Sequence, residues 1–189
     1  MIVGRDIHYL LPEIKIPIMR VGVCDVKKQI CAFSRRKKRS AYYFATIDLF
    51  VDLPKTQRGV NMSRCNEIIN EIALESMHRR DLDFEDICIE MVKRALVLHE
   101  YAIRAEAFLE TYYFIEKTTP ATKKHTQESY EIYARAVAYK TDEPSARKML
   151  GVKVLCITTC PCAKKALEEY TSHIITNSSI SGNLQRIPI

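Results

Sequence analysis

Tyr42-Tyr43-Phe44-Ala45-Thr46-Ile47-Asp48-Leu49-Phe50-Val51-Asp52-Leu53-Pro54 decides the fold. Tyr43, Ala45, Ile47, Leu49, Val51 and Leu53 fall on one side of a period-two pattern; Tyr42, Phe44, Thr46, Asp48, Phe50 and Asp52 fall on the other. A pleated strand sends successive side chains to opposite faces, so this run turns one wholly apolar face to a core. Pro54 ends it, because its ring removes the amide that a ladder needs. Upstream, Ile16 to Phe33 reads as the hairpin partner, with Pro17 and Gly22 marking an edge or a bulge near its start. Between the two strands lies Arg35-Arg36-Lys37-Lys38-Arg39, a basic run whose simplest reading is a solvated turn.

Downstream of Pro54 the polar stretch Lys55 to Asn61 contains Gly59 and reads as a connection. A helical stripe follows through Cys65, Ile68, Ile69 and Ile72, then a second through Phe84, Ile87, Cys88, Met91, Val92 and Ala95. Asp83 is the expected N-cap of the second helix, with Asp86 three positions on near the exposed amides. Two more strands follow, Ile103 to Glu116 and Tyr130 to Tyr139, joined through Lys117 to Gln127 with Pro120. The order strand, strand, helix, helix, strand, strand predicts an α+β fold, an antiparallel sheet carrying both helices on one face. Residues 1–140 form a first module on this reading. Residues 141–150 are a polar linker, and Gly151 opens a fresh strand, so 141–189 reads as linker and incomplete second module. Open sheet edges favour homo-oligomers, a dimer or larger, closing towards a barrel.

A chain of 189 residues can bury roughly two thirds of its unfolded surface, enough for one domain and an accessory element. No apolar run is long enough to cross a bilayer, and the amino terminus lacks a leader-like pattern, so the expectation is a soluble, cytoplasmic protein without a membrane partner. Seven cysteines, with only Cys160 and Cys162 close together, argue against a disulfide framework and fit a reducing compartment. Cys24, Cys31, Cys65, Cys88 and Cys156 lie in apolar segments as small core residues. The net charge of +6 favours an anionic partner: a nucleoside triphosphate, an acidic protein surface or nucleic acid. A basic nucleic-acid-binding domain is the weakest of these, because no compact recognition motif accompanies the charge and the tyrosines.

Thr159-Cys160-Pro161-Cys162-Ala163 places soft sulfur ligands where the apolar run Val152 to Ile157 gives way to a helical pattern. A thiolate at a helix start is stabilised by unpaired amides, which suits a metal ligand or a nucleophile. The alternative is a buried structural cysteine. Two thiols do not complete a tetrahedral site, so other ligands must come from His173, from elsewhere in the chain or from another subunit. Were the helix unbroken from Cys162 to His173, their Cα atoms would stand about 16 Å apart, so the helix must end near Tyr170 if His173 is a ligand. An ordinary surface histidine is the competing reading of His173. Of the other histidines, none has ligand-like spacing, and His99 just past the second helical stripe is explained by the helix dipole. Arg58 and Arg64 offer guanidinium forks that match phosphate oxygens, or serve an interface.

Together, Arg20-Val21-Gly22-Val23, Val51-Asp52-Leu53-Pro54, Arg58-Gly59-Val60-Asn61-Met62-Ser63-Arg64 and Thr159-Cys160-Pro161-Cys162-Ala163 resemble the motifs of the type IB GTP cyclohydrolases, especially their archaeal, methanopterin-pathway branch. The resemblance runs from about Ile16 to Tyr170. It implies a tunnelling fold in two modules, assembled as homo-oligomers with active sites near subunit interfaces. It further implies opening of the guanine imidazole ring of GTP, with formate leaving and a dihydroneopterin cyclic phosphate as product. The implied cofactor is ferrous iron (Fe2+), with Zn2+ or Mn2+ as alternatives. By motif, Cys160 is the implied catalytic and metal-ligating cysteine and His173 the histidine nearest the family's ligand spacing. Arg58, Asn61 and Arg64 are implied near substrate or an interface. Cys162 is auxiliary, packing in the first turn or responding to oxidation.

The sequence departs from the family pattern in three places. Asn61 stands where the family has histidine, retaining hydrogen-bonding capacity without acid, base or metal chemistry. His173 lacks the family's Asn-Gln-Arg follower; Asn183-Leu184-Gln185-Arg186 occurs later without a histidine. The second module is nearly absent, and with it a guanine-anchoring glutamate and a further histidine ligand. The expectation is therefore a chain truncated after its first module, or a catalytically incomplete nucleotide-binding or assembly module of the same fold.

Overall fold

A computed structural model describes residues 11–34, 38–79, 81–119, 122–140, 145–154, 160–162 and 165. Its elements run β1 (Ile18–Ser34), β2 (Arg39–Leu53), α1 (Met62–Arg79), α2 (Phe84–Leu98), β3 (Arg104–Thr118), β4 (His125–Tyr139) and β5 (Ser145–Lys153). The five strands form one sheet in sequential order, each antiparallel to its neighbour. Both helices pack on the same face, α1 over β1 and α2 over β3 and β4. This is the expected α+β layer.

The deciding alternation is realised directly. Ala45, Ile47, Leu49, Val51 and Leu53 are buried, and their counterparts on β3 and β4 are Ala105, Ala107, Leu109, Ile132, Ala134 and Ala136. Small alanines on β3 and β4 let α2 approach closely, while Ile68, Ile69 and Ile72 of α1 and Ile87 and Met91 of α2 fill the layer between. Each such fully buried aliphatic side chain contributes about 1.5–3 kcal/mol relative to exposure. Ser76 is the polar exception in α1: it accepts from the Cys31 amide at 3.1 Å and donates to Ala73 O at 2.7 Å. That bond fixes the helix to β1, and the Phe33 amide reaches Leu82 O at 2.7 Å, so the α1–α2 connection occupies part of the edge of β1.

Asp83 caps α2 as its sequence position predicts, its Oδ1 accepting from the Asp86 amide at 2.9 Å. We expect Asp83→Ala to cost about 1 kcal/mol, or about 2–4 °C in melting temperature, with Asp83→Asn close to the parent. A melt in which alanine and asparagine behave alike would remove the cap from the account.

β1 shows register shifts between Ile18 and Val21 and between Val23 and Val26, and it is an edge strand, as Pro17 and Gly22 imply. Lys38 takes a positive φ in the turn before β2 and is exposed, as is Arg39 at the start of β2; positions 35–37 of the basic run lie outside the described residues, as does Pro120. The stretch expected to be linker through position 150 is different. From Ser145 it is strand, paired to β4 from Tyr139↔Ser145 to Glu131↔Lys153, so Gly151 falls inside β5 rather than opening it. Lys148 accounts for the misleading polarity: it faces the helix layer but ends at Asp86 of α2, 2.6 Å away.

Candidate functional site

The connection from β2 to α1 is anchored by its own buried residues. Gln57 donates its amide to Pro54 O at 3.0 Å, and Gln57 and Val60 are buried, which leaves Arg58 exposed between them. Asn61 stands half-buried just before α1, its carbonyl accepting from the Arg64 amide at 3.1 Å. Asp52 accepts at one oxygen from the amides of Ile103 and Arg104, at 2.8 and 2.7 Å. The Val-Asp-Leu-Pro stretch thereby ties the end of β2 to the start of β3. Arg64 reaches across to Leu98 O at 2.8 Å, where the last carbonyls of α2 lack helical partners. A cation there also suits the helix dipole.

His99, the C-cap of α2, is fully buried beside this junction. Its Nδ1 lies 3.1 Å from the Tyr101 hydroxyl and its Nε2 3.6 Å from Cys65 Sγ. A neutral imidazole donates at one nitrogen and accepts at the other, so both partners can be served at once. Burial, with the Arg64 cation adding to it, lowers its pKa to about 4. The helix-dipole explanation fails here, because it requires an imidazolium. Burial also raises the Cys65 thiol to about 11, so neither member of the pair is charged near neutrality. These residues form a fixed joint between α1, α2 and the turn into β3.

Cys160 and Cys162 are exposed, and Pro161, Cys162 and Lys165 are helical, consistent with a helix start after Cys160. His173 and Cys156 lie outside the described residues. Among the described residues no group of three His, Cys, Asp or Glu side chains is placed to hold a metal ion. Cys160 has the chemistry and exposure of a metal ligand, but the described part of this chain does not by itself supply a complete ligand shell. The register explains part of this. β2 ends at Leu53 on the side of the sheet where β5 begins, whereas Lys153, opposite Glu131, is where β5 leaves at the other end. Arg58, Asn61 and Arg64 thus gather at one end, and the strand leading to Cys160 exits at the opposite one.

Sequential β-β-α-α-β-β order, both helices on one face, and a Cys-Pro-Cys segment after the fifth strand define a tunnelling-fold protein of the GTP cyclohydrolase class. The chain belongs to the type I GTP cyclohydrolase family folE2, whose profile matches residues 5–181, and to its archaeal branch. It is 46% identical over 160 residues to a protein named GTP cyclohydrolase MptA from Methanosphaera stadtmanae, covering 84% of this chain and 51% of that one. It is 34% identical over 190 residues to the protein of that name from Methanocorpusculum labreanum, covering 97% and 61%. With that from Methanococcus maripaludis strain C7 the identity is 39% over 168 residues, covering 87% and 53%. The chain spans about half to three fifths of the length of the curated relatives it matches.

Proposed function

We propose that this chain acts in a GTP cyclohydrolase that opens the guanine imidazole ring with release of formate, on the way to a dihydroneopterin cyclic phosphate and methanopterin. The observation that carries this is the exposed Cys160 at a helix start, within a family match that runs through it. Cys160, and His173 with residues beyond those described, would hold a divalent metal, Fe2+ ahead of Zn2+ or Mn2+, which would supply Lewis acidity for hydrolytic chemistry at guanine C8. The chain's own contribution is positional. The joint of Arg64, His99 and Cys65 fixes the start of α1, so Asn61 and the exposed Arg58 are presented from a rigid element, with Arg58 free to meet triphosphate oxygens.

Because β5 leaves the sheet at the end opposite the Arg58–Arg64 loop, a site containing both that loop and Cys160 would be completed by a second copy of the chain. Edge strands β1 and β5 provide the pairing surfaces for such a homo-oligomer. In that assembly 1–140 is the first module, and β5 is the opening strand of the segment 141–189, hydrogen-bonded so that the sheet continues across the boundary. The cysteines Cys24, Cys31, Cys65 and Cys88, which form no disulfide, support a reducing, cytoplasmic setting. No helix among the described residues is long and apolar enough to cross a membrane.

The test is formate release from GTP with anaerobically purified protein and ferrous iron. Cys160→Ser is expected to lower the rate at least about 100-fold with the fold retained, a loss of nearly 3 kcal/mol of transition-state stabilisation. Formate production independent of Cys160 would overturn its assignment. A catalytically incomplete module of the same fold is the second reading, favoured by the lack of a three-ligand group among the described residues. It predicts GTP binding with no metal-dependent formate.

A further inference from the structure

Glu106 stands on β3, on the sheet face turned away from the helices, and is almost completely buried, although that face is otherwise open. Three arginines from three strands cover it. Arg20 Nε of β1 lies 3.3 Å from Oε2, Arg104 Nη2 of β3 lies 2.8 Å from the same oxygen, and Arg135 Nη2 of β4 contacts Oε1. Burial pushes the Glu106 carboxyl up, but Arg104 and Arg135 outweigh it and hold the group below the ordinary carboxylate range. Glu106 is therefore ionised, and the cluster carries two uncompensated positive charges from its three guanidinium groups and one carboxylate.

A carboxylate has about four acceptor positions, whereas three guanidinium groups bring about fifteen N–H donors. Glu106 cannot occupy them all. One shortfall is visible: Arg135 Nε is buried and without a partner, a donor that has lost its water and gained nothing in return. Arg20 and Arg135 retain 53% and 41% of their side-chain exposure against 3% for Glu106, so the arginines are reachable from the open face while the carboxylate beneath them is covered. Arg20 Cζ lies 4.3 Å from the centroid of the Phe50 ring, a cation–π contact that helps hold the guanidinium over this face.

The rest of this face reinforces the charge. Val137 pairs with Glu106 and Arg147 pairs with Val137, which puts a fourth cation in the same cross-strand row. Of the other carboxylates on this face, Asp48 accepts from the Asp25 amide at 2.9 Å and Asp52 from the amides that begin β3, while Glu110 flanks the Arg135 row on the side opposite Glu106 and offsets part of the charge there.

We propose that Arg20, Arg104 and Arg135, arrayed around Glu106, form a binding site for a phosphate-class oxyanion. Tetrahedral oxyanions match guanidinium forks and supply the acceptors the cluster lacks. Glu106 holds the three side chains in place before the ligand arrives and limits affinity by its own charge. The source is either a free inorganic polyphosphate or the phosphate tail of a nucleotide. The proposal does not depend on ring-opening activity, and its probe contains no guanine.

Calorimetric titration of the full chain with inorganic triphosphate at low salt tests it. Arg135→Gln and Arg20→Gln should each weaken binding at least about tenfold, and Arg135→Lys, which keeps the charge but loses the fork, should weaken it by less. Glu106→Gln should tighten binding, because the site gains a net positive charge; a purely structural clamp would change melting temperature without this opposite pair of effects. Circular dichroism on each variant confirms that the fold persists. Displacement of triphosphate by GTP but not guanosine assigns the site to nucleotide tails, and failure of GTP to displace it assigns the site to free polyphosphate. Absence of triphosphate binding by the parent, or equal affinity in all variants, overturns the proposal; the formate assay remains an independent measurement in either case.

Discussion

Gly22→Ala is expected to lower the melting temperature by roughly 6–12 °C, from a destabilisation of about 3 kcal/mol and a shift of about 2–4 °C per kcal/mol for a chain of this size. Gly22 lies opposite Phe50 in the β1–β2 ladder. A β-carbon at this position collides with the carbonyl oxygen of Leu49 and the Cα of Phe50, all main-chain atoms of β2. Side-chain tips can rotate out of the way, but a ladder can relieve such a clash only by separating or slipping. The natural control is Gly151→Ala, where the added carbon meets only the outer part of the Tyr133 ring, so a rotation suffices. Scanning calorimetry of the two variants side by side checks this, and a Gly22→Ala melt within about 1 °C of the parent would refute it.

Acidification should destabilise the protein through His99. Its folded-state pKa is lowered from an ordinary 6.5 to about 4, so between those values the unfolded chain binds the proton and the folded chain does not. This contribution to stability is complete above pH 6.5 and is lost as the pH falls through about 4. The shift corresponds to about 3 kcal/mol at its full extent. His99→Gln preserves hydrogen bonding without a titrating ring, and it should flatten the pH dependence of unfolding free energy by about that amount over this window. Burial also raises the Asp83 carboxyl, so the quantity to measure is the difference between parent and variant slopes. Equal slopes would mean that the imidazole is not buried in its neutral form.

The fold was legible because its signals are local. Alternation from Tyr43 to Leu53, the stripes of α1 and α2 and the Asp83 cap each need only a few consecutive residues to be recognised, and each has the role its pattern predicts. β5 was hidden from Ser145 to Leu150 because Arg147 and Lys148 break the apolar count, although Lys148 merely extends past the core to Asp86. The joint at His99 was missed for a different reason. Cys65 and His99 are 34 positions apart, and nothing in either neighbourhood distinguishes a buried imidazole from one at an exposed helix end. The Glu106 cluster had a partial signal, Arg104 and Glu106 on one face of a strand with Arg135 on the same face of the next, but only the pairing register joins them. Cys160, Arg58, Asn61 and Arg64 are candidates through motif resemblance alone. The register shows only that β5 leaves the sheet at the end opposite the Arg58–Arg64 loop, which no linear motif conveys.

The β2–β3 ladder runs only from Ala45↔Thr111 to Val51↔Ala105, whereas the β1–β2 and β3–β4 hairpins both continue beyond it. In entropic terms the sheet is two locally closed ribbons and one remote seam. Each ribbon forms by closing a short turn, but the seam joins segments more than fifty residues apart and must repay the loss of freedom of everything between them. What repays it is α1 and α2, which lie in that interval and bury their apolar faces on the joined sheet. Ribbon assembly is therefore low in contact order and fast, and seam formation with helix docking is the slow, cooperative step that makes the folded layer a single thermodynamic unit.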